Sequence, residues 1–429
     1  MKATQSFLKV FQSRKMAALL FLGFASGLPY NLTRDTLSAW ITVEGLKLST
    51  IGWFVGLANA PATLKFLWSP LVDRFVPPFL GRRRGWMVLT QVALVVAIAT
   101  MGLQKPAQAL QLLAINAIAI AFLSATQDIA IDAYRTDVLE EREVGAGVAI
   151  WVTGYRIALL LTGALALRWA DQFSWSMVYF FMAALIGIGV LSAIWAPEPV
   201  SDEASSRPET LVDAVYLPFV DFFQRSGILR GVFILAFIVL YKLGDYLAAN
   251  MTTPFLVKTG FALSAIGDIK GGMGLIATIV GGLVGGAVLS KIGINRSLWV
   301  FGGFQAISNL AYFSLALAGK SYPLMVLTVN IENFCAGLGT AAFLGFLMSL
   351  CNPRFSATQY ALLSSLVAIS REVFASPGGA IAQSTGWPLF FFLTFLVALP
   401  GLLLLPIFAP WNPQPTSISE PRLDDEGVD

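Results

Sequence analysis

Runs of about 20 predominantly apolar residues recur along the whole chain, each long enough to cross a hydrocarbon core of roughly 30 Å as a helix. A bilayer core holds no water to satisfy backbone N–H and C=O groups, so spans of this kind must bond internally. Composition agrees: 56% of the 429 residues are hydrophobic and 12% charged, against about 25% charged in an ordinary soluble domain. The expected spans are 16–40, 50–71, 85–104, 108–131, 145–168, 174–195, 227–249, 264–290, 297–318, 322–350, 357–383 and 386–409. The fold class is therefore an all-α membrane protein with about twelve spans, and lipids are its surroundings.

An even number of spans puts both termini on one side. Lys2, Lys9, Arg14, Lys15, Arg74, Arg82 to Arg84, Arg135, Arg142, Arg207, Arg225, Arg230, Lys291, Arg296, Arg354 and Arg422 fall on that side. Lys47, Lys105, Arg168, Lys258, Lys270 and Lys320 fall on the other. The excess marks the side of the termini as cytoplasmic. The first apolar run leads into further spans without a small-residue cleavage site, so no removable signal peptide is expected. A net charge of +3 is too small to argue for nucleic acid. The chain has no His, which removes the commonest metal ligand and the usual acid–base residue near neutral pH. Cys335 and Cys351 lie sixteen residues apart on one expected helix, roughly 24 Å at 1.5 Å per residue, too far for a disulfide.

The longest loop divides the spans evenly, giving an N-terminal six-helix half (1–196), a cytoplasmic linker (197–226), a C-terminal half (227–409) and a tail (410–429). The linker begins with the polar PEPVSDEASSRPET and continues as LVDAVYLPFVDFF, which reads as a short helix on the membrane surface. The tail is Pro-rich and acidic, and disorder is expected there. Equal halves around a long linker suit a transporter built from parallel repeats.

Between the second and third spans stands WSPLVDRFVPPFLGRRRG. The major facilitator signature at this loop is a Gly, then Asp-Arg, then a Gly followed by basic residues. Asp73-Arg74 and Gly81 with Arg82, Arg83 and Arg84 resemble it, with extra residues inserted. Such a set can form a charged gate between helix ends that breaks on opening; positive-inside anchoring is the plainer reading of the Arg run. The matching place in the second half, GGAVLSKIGINRS, keeps Gly286, Lys291, Gly293 and Arg296 but has Ser290 where an acid would sit, so a weaker second latch is expected. Four stretches, GFASGLPYNLTRDTLSAWITVEG, FLWSPLVDRFVPPFLGRRRGW, SATQDIAIDAYRTDVL and GAGVAIWVTGYRIALLLTGALAL, together resemble the AmpG family of muropeptide permeases, within the major facilitator superfamily. The acetyl-CoA transporter family shares parts of the pattern. The resemblance implies proton-coupled import of N-acetylglucosamine–anhydro-N-acetylmuramyl peptides across the bacterial inner membrane for peptidoglycan recycling, by a monomer, as is usual in the superfamily.

A charge at bilayer depth is costly unless paired or hydrated, so each is a functional candidate. The first span carries Asn31, Arg34 and Asp35; the fourth Gln127, Asp128 and Asp132; the fifth Tyr155 and Arg156; the seventh Tyr241, Lys242 and Asp245; the tenth Asn330, Glu332 and Asn333; the eleventh Arg371 and Glu372. Spans one, four, seven and ten line the cavity in the superfamily. Arg34, Arg156, Lys242 and Arg371 are candidates for meeting substrate carboxylates, since guanidinium binds a carboxylate through two parallel bonds; Gln127 and Asn31 join them. Asp128, with Glu332, Asp245 and Asp35, is the candidate proton carrier, because burial and neighbouring Arg tune a carboxyl in opposite directions. Tyr30, Trp53, Trp151, Tyr155 and Tyr241 can stack on sugar rings. Plainer readings stand beside these. Lys242 and Asp245 can neutralise each other, Asp132 can pair with Arg135, Arg34 and Asp35 can be solvated at a periplasmic mouth, and Asp128 can pair with Arg156.

An enzyme would need a nucleophile or base with a partner, and no such constellation stands out. No catalytic residue, metal site or cofactor is expected. GGMGLIATIVGG lacks the Lys-Ser/Thr ending of a phosphate loop, which removes ATP-driven transport. The expected substrate is a muropeptide or another anionic solute such as acetyl-CoA, moved with protons.

Overall fold

The computed structural model describes residues 13–33, 35–44, 60–106, 108–170, 172–199, 210–375 and 377–411, and every regular element among them is a helix. The first expected span is met by α1 (Arg14–Leu32) and α2 (Asp35–Val43). The first part of the second, with Trp53, lies outside the described residues, as do linker residues 200–209 and the tail from 412; its remainder includes a 3₁₀ turn at Lys65–Leu67 and α3 (Ser69–Arg74). Then come α4 (Arg82–Gly102), α5 (Leu110–Val138), α6 (Val144–Leu160) and α7 (Trp175–Trp195). After the linker helix α8 (Leu211–Ser226), α9 (Ile228–Leu240) and α10 (Leu243–Lys258) make up the seventh span. The rest are α11 (Gly274–Ala318), α12 (Tyr322–Ser349), α13 (Ser356–Ile369), α14 (Gly378–Thr385) and α15 (Trp387–Phe408).

Eight segments among the described residues are long and apolar enough to cross a membrane, and the chain is a membrane protein. One of them, Gly267–Ala318, holds the expected eighth and ninth spans in one helical run. It bends at Gly293, whose φ of 80° is left-handed backbone that only a residue without Cβ adopts freely. Outward faces carry Val96, Leu191, Ile307 and Leu403, all more than half exposed. Lipid leaves such side chains at no cost, so these helices are apolar around most of their circumference.

Asp73, Arg82 and Asp137 lie at one end of the bundle, the motif end; Leu103, Gln172, Gly260 and Gly319 lie at the other, the far end. The buried apolar residues are arranged differently at the two ends. One cluster at the motif end joins both parts of the chain, with Tyr134, Val138 and Val148 packed in the same group as Phe237, Phe343 and Tyr360. Towards the far end there are two separate cores. One is built from the N-terminal part, around Leu28, Ile98 and Tyr179, and the other from the C-terminal part, around Phe255, Tyr312 and Phe391. The parts are thus closed together at the motif end. The seam includes Gly145 of α6 and Gly286 of α11, where a Cβ on either would overlap the carbonyl oxygen of the other.

The linker helix is tied into the closed end. Thr210 caps it, accepting from Asp213 N at 3.0 Å, while Asp213 Oδ2 accepts from Thr210 N at 3.1 Å. On its last turns Asp221 accepts from Gln359 Nε2 at 2.8 Å, Asn352 Nδ2 at 2.9 Å and Arg225 Nε at 2.9 Å. Gln359 Nε2 also donates to Pro218 O at 2.9 Å. Burial pushes the Asp221 carboxyl upward, but the bonds from Gln359, Arg225 and Asn352 outweigh it and hold the group below its ordinary 3.8. Its contribution is therefore complete above about pH 4 and is lost as pH falls through the depressed folded value. Asp221→Ala is expected to release α8 from α13 at a cost of about 1–3 kcal/mol, seen as faster protease cleavage within 211–226 at neutral pH. Below the folded pKa wild type and variant should cleave alike.

Candidate functional site

At the motif end a charged cluster is assembled around one carboxylate. Asp73, at the last turn of α3, is fully buried. Arg82 Nη2 and Arg83 Nη2 approach its Oδ1 at 3.2 and 3.0 Å, and Thr358 donates to Oδ2 from both backbone N and Oγ1 at 2.8 Å. Arg82 reaches on to the carbonyls of Pro353 and Arg354 at 3.2 and 3.4 Å. Arg83 donates to Asp137 Oδ2 at 2.7 Å and to Ser356 Oγ at 2.6 Å. Both guanidinium groups therefore join the N-terminal part to the start of α13. Arg84 does something else: it donates to the carbonyls of Ala193 and Ile194 and caps the end of α7. Gly81 precedes α4 with φ of 75° and sits against the Glu198 carboxylate. Arg74 is half-buried beside this group. In the second half Ser290 donates to Gly286 O of its own helix at 3.0 Å, beside the Gly145–Gly286 contact.

Deeper in the bundle, Tyr30 of α1 and Tyr155 of α6 lie 6.3 Å apart by ring centroid, and Trp151 stacks on Tyr155 at 5.5 Å. Ser26 Oγ donates to Asp128 Oδ1. The Tyr155 hydroxyl is within electrostatic reach of Tyr30, Asp128, Arg156 and Arg371. Glu332 of α12 is within reach of Asp245, Lys270, Lys242 and Arg156, and Arg156 is also within reach of Tyr155. Asp128, Tyr30, Trp151, Tyr155, Arg156, Glu332 and Arg371 are all neither fully buried nor fully exposed. Arg371 pairs with Glu372 at 3.0 Å on a π-helical turn, Ser370–Phe374, a local loosening of the helix that often marks a working site.

Several candidates fall elsewhere. Gln127 is fully buried and donates to Ala25 O at 3.1 Å, tying α5 to α1. Tyr241 lies in the motif-end core, stacked on Phe343 at 5.4 Å and donating to Leu298 O at 2.9 Å. Lys242 and Asp245 pair at 3.6 Å, and Asn309 Nδ2 donates to Asp245 Oδ1 at 3.5 Å. Arg34 and the side chains of Asn31 and Asp35 lie outside the described residues. Cys335 and Cys351 are both buried and free. Reading the sequence did not single out Thr358, Ser356, Tyr360, Asp137 or Lys65. Two carried a signal: Asp137, a carboxylate at the end of a span opposite an Arg run, and Lys65, a charge inside the expected span 50–71.

The major facilitator superfamily model matches residues 19–375. The anhydromuropeptide permease of Escherichia coli K12 is 46% identical over 404 residues, covering 94% of this chain and 81% of that protein. The chain belongs to the AmpG family of the major facilitator superfamily. A putative AmpG transporter of Rickettsia felis is 34% identical, covering 92% of this chain and 97% of its own length. An uncharacterised protein of Haemophilus influenzae is 37% identical, covering 93% and 95%. Among solved structures, the human organic anion transporter MFSD10 shares the fold with a TM-score of 0.67 at 18% identity, covering 91% of this chain and 99% of its own. The contacts that join the two parts at the motif end centre on Asp73. Removing its charge leaves Arg82 and Arg83 buried with less compensation, which costs about 3–5 kcal/mol. Asp73→Asn should therefore open the motif end in most molecules. The check is native Cys351, buried beside the gate: alkylation should speed up by about two orders of magnitude relative to Cys335.

Proposed function

We propose that this chain is a proton-coupled importer of anhydromuropeptides in a bacterial inner membrane. The observation that carries this reading is the 46% identity, over 94% of the chain, to a protein named anhydromuropeptide permease. The partly accessible group of aromatic and charged side chains supports it. Both termini and the motif end face the cytoplasm, so the arrangement described is the one closed to the cytoplasm. The chain works as a monomer, with halves 1–196 and 227–409 rocking about the site, the linker 197–226 between them and the tail 410–429 on the cytoplasmic side.

Substrate meets two kinds of surface. Tyr30, Trp151 and Tyr155 present ring faces to the apolar C–H faces of the sugars. Arg156 and Arg371 meet peptide carboxylates through paired N–H donors. Asp128 carries the coupling proton: its hydrogen-bond partner is a hydroxyl, Ser26, and among the described residues no cation pairs with it directly. A carboxylate arriving near Arg156 takes up positive potential that otherwise reaches Glu332, and its own negative charge favours the protonated form of carboxyl groups around the site. Substrate binding and proton binding therefore favour one another, which symport requires. Lys242 and Asp245 serve as a balanced pair behind Glu332. Arg34, Asn31 and Asp35 belong to the entrance on the periplasmic side.

Uptake of labelled anhydromuropeptide into vesicles, with and without an inward proton gradient, tests this. Accumulation above equilibrium with the gradient, abolished by a protonophore, is the expected result. Asp128→Asn should lose accumulation yet keep exchange of labelled for unlabelled substrate. Arg156→Ala should weaken substrate binding by about 2 kcal/mol, roughly thirtyfold. Failure to accumulate any cell-wall fragment would remove the substrate assignment, and gradient-driven accumulation by Asp128→Asn would remove the proton assignment.

A further inference from the structure

A second charged cluster lies between the site and the gate. Lys65, in the 3₁₀ turn before α3, is buried, with Nζ 3.3 Å from Asp132 Oδ2. Arg135 Nη2 approaches Asp132 Oδ1 at 3.1 Å from the same helix. The Arg135 side chain is fully buried and reaches across to α13, donating to the Tyr360 hydroxyl at 2.5 Å. Its guanidinium carbon lies 4.3 Å from the Trp151 ring centre and 5.3 Å from that of Tyr360. Among the described residues its Nε and Nη1 have no hydrogen-bond partner. Asp132 is one helical turn from Asp128, and Lys65, Asp132 and Arg135 are all within electrostatic reach of Asp128. The groups facing Asp128 are thus Ser26 from α1, Lys65 from the turn before α3, Asp132 and Arg135 from α5 itself, and Tyr155 from α6.

Charge counting gives this cluster a direction. Lys65 and Arg135 supply two positive charges, and Asp132 and Asp128 two negative ones. The set is neutral when Asp128 is ionised and carries one excess positive charge when Asp128 is protonated. An uncompensated charge in a dry interior raises the energy of the arrangement that buries it. Here that is the closed motif end, where Arg135 is sealed between Trp151 and Tyr360. Opening would give the excess charge access to water.

We propose that Lys65 is a positioning residue for coupling: by setting the charge count around Asp132 and Arg135, it makes the Arg135–Tyr360 closure sensitive to protonation of Asp128. This rests on the reading of Asp128 as the proton carrier. Protonation loosens the closure between α5 and α13, and deprotonation restores it. Without Lys65 the cluster is neutral in the protonated state, and the bias towards opening disappears or reverses.

The test needs no substrate. Spin labels replace Arg142 and Lys291, both exposed and facing each other across the Gly145–Gly286 seam, in full-length protein with Cys335→Ala and Cys351→Ala in lipid nanodiscs. Double electron–electron resonance then gives the fraction with a widened motif end. In the otherwise wild-type background that fraction should rise about tenfold or more as pH falls from about 8 to about 5. Lys65→Arg should keep the response, and Lys65→Met should abolish or invert it. The double variant Lys65→Met/Asp132→Asn removes one charge of each sign and should regain a response of the original sign, which a merely structural role for Lys65 does not predict. A wild-type response in Lys65→Met, or no recovery in the double variant, overturns the proposal while leaving Asp128 as proton carrier. A wild-type response in Asp128→Asn overturns both.

Discussion

A single buried carboxylate organises the closed state of this protein. Asp73 is out of reach of water, and its charge is tolerable only because two guanidinium groups and two donors from Thr358 surround it. Arg82 and Arg83 belong to the same part of the chain as Asp73 and Thr358 to the other, so separation of the parts costs the carboxylate its two Thr358 donors. Low dielectric strengthens each contact and raises the cost of losing any one of them. Separation must exchange for water the Thr358 bonds and those from Arg82 and Arg83 to Pro353, Arg354 and Ser356. The apolar cluster that spans both parts at the same end, and the two separate cores towards the other, fit a molecule hinged about its middle.

Three layers stack along the bundle from that end. Outermost is α8, fastened through Asp221 to Gln359, the residue next to Thr358. Then come the gate and, behind it, the Lys65–Asp132–Arg135 cluster, which touches α13 at Tyr360. Innermost are the aromatic shelf and the carboxylates Asp128 and Glu332. Helix α13 meets the first two layers through consecutive turns, at Ser356, Thr358, Gln359 and Tyr360. A movement of its first two turns therefore reports on the linker, the gate and the buried cluster together.

Much of this was legible in the residues. Apolar length gave the helices, because lipid leaves the backbone no other way to satisfy itself. Asp73 and the Arg run were visible because they match the major facilitator signature at the loop between the second and third spans. The partners Thr358, Ser356 and Tyr360 were not, since ordinary polar residues acquire a role only when a contact spanning most of the chain is formed. The bend at Gly293 was hidden among many glycines with no sign of which one takes positive φ. Gln127 and Tyr241 illustrate a different limit. Their residue types suit a binding site, but helices that are apolar nearly all round carry no periodic signal of which face points inward. One of the two braces α1 and the other fills the motif-end core. Lys65 shows the converse, a charge near the end of an expected span that turns inward to meet Asp132.

The central claim is that the two ends of the bundle open alternately about the buried group. Single-molecule fluorescence transfer measures this directly, with dyes at Arg142 and Lys291 for the motif end and, in a second preparation, at Gln172 and Lys320 for the far end. Addition of anhydromuropeptide at acidic pH should lengthen the first distance and shorten the second in the same proportion of molecules. If both distances lengthen together, or neither changes while substrate is bound, the account is wrong.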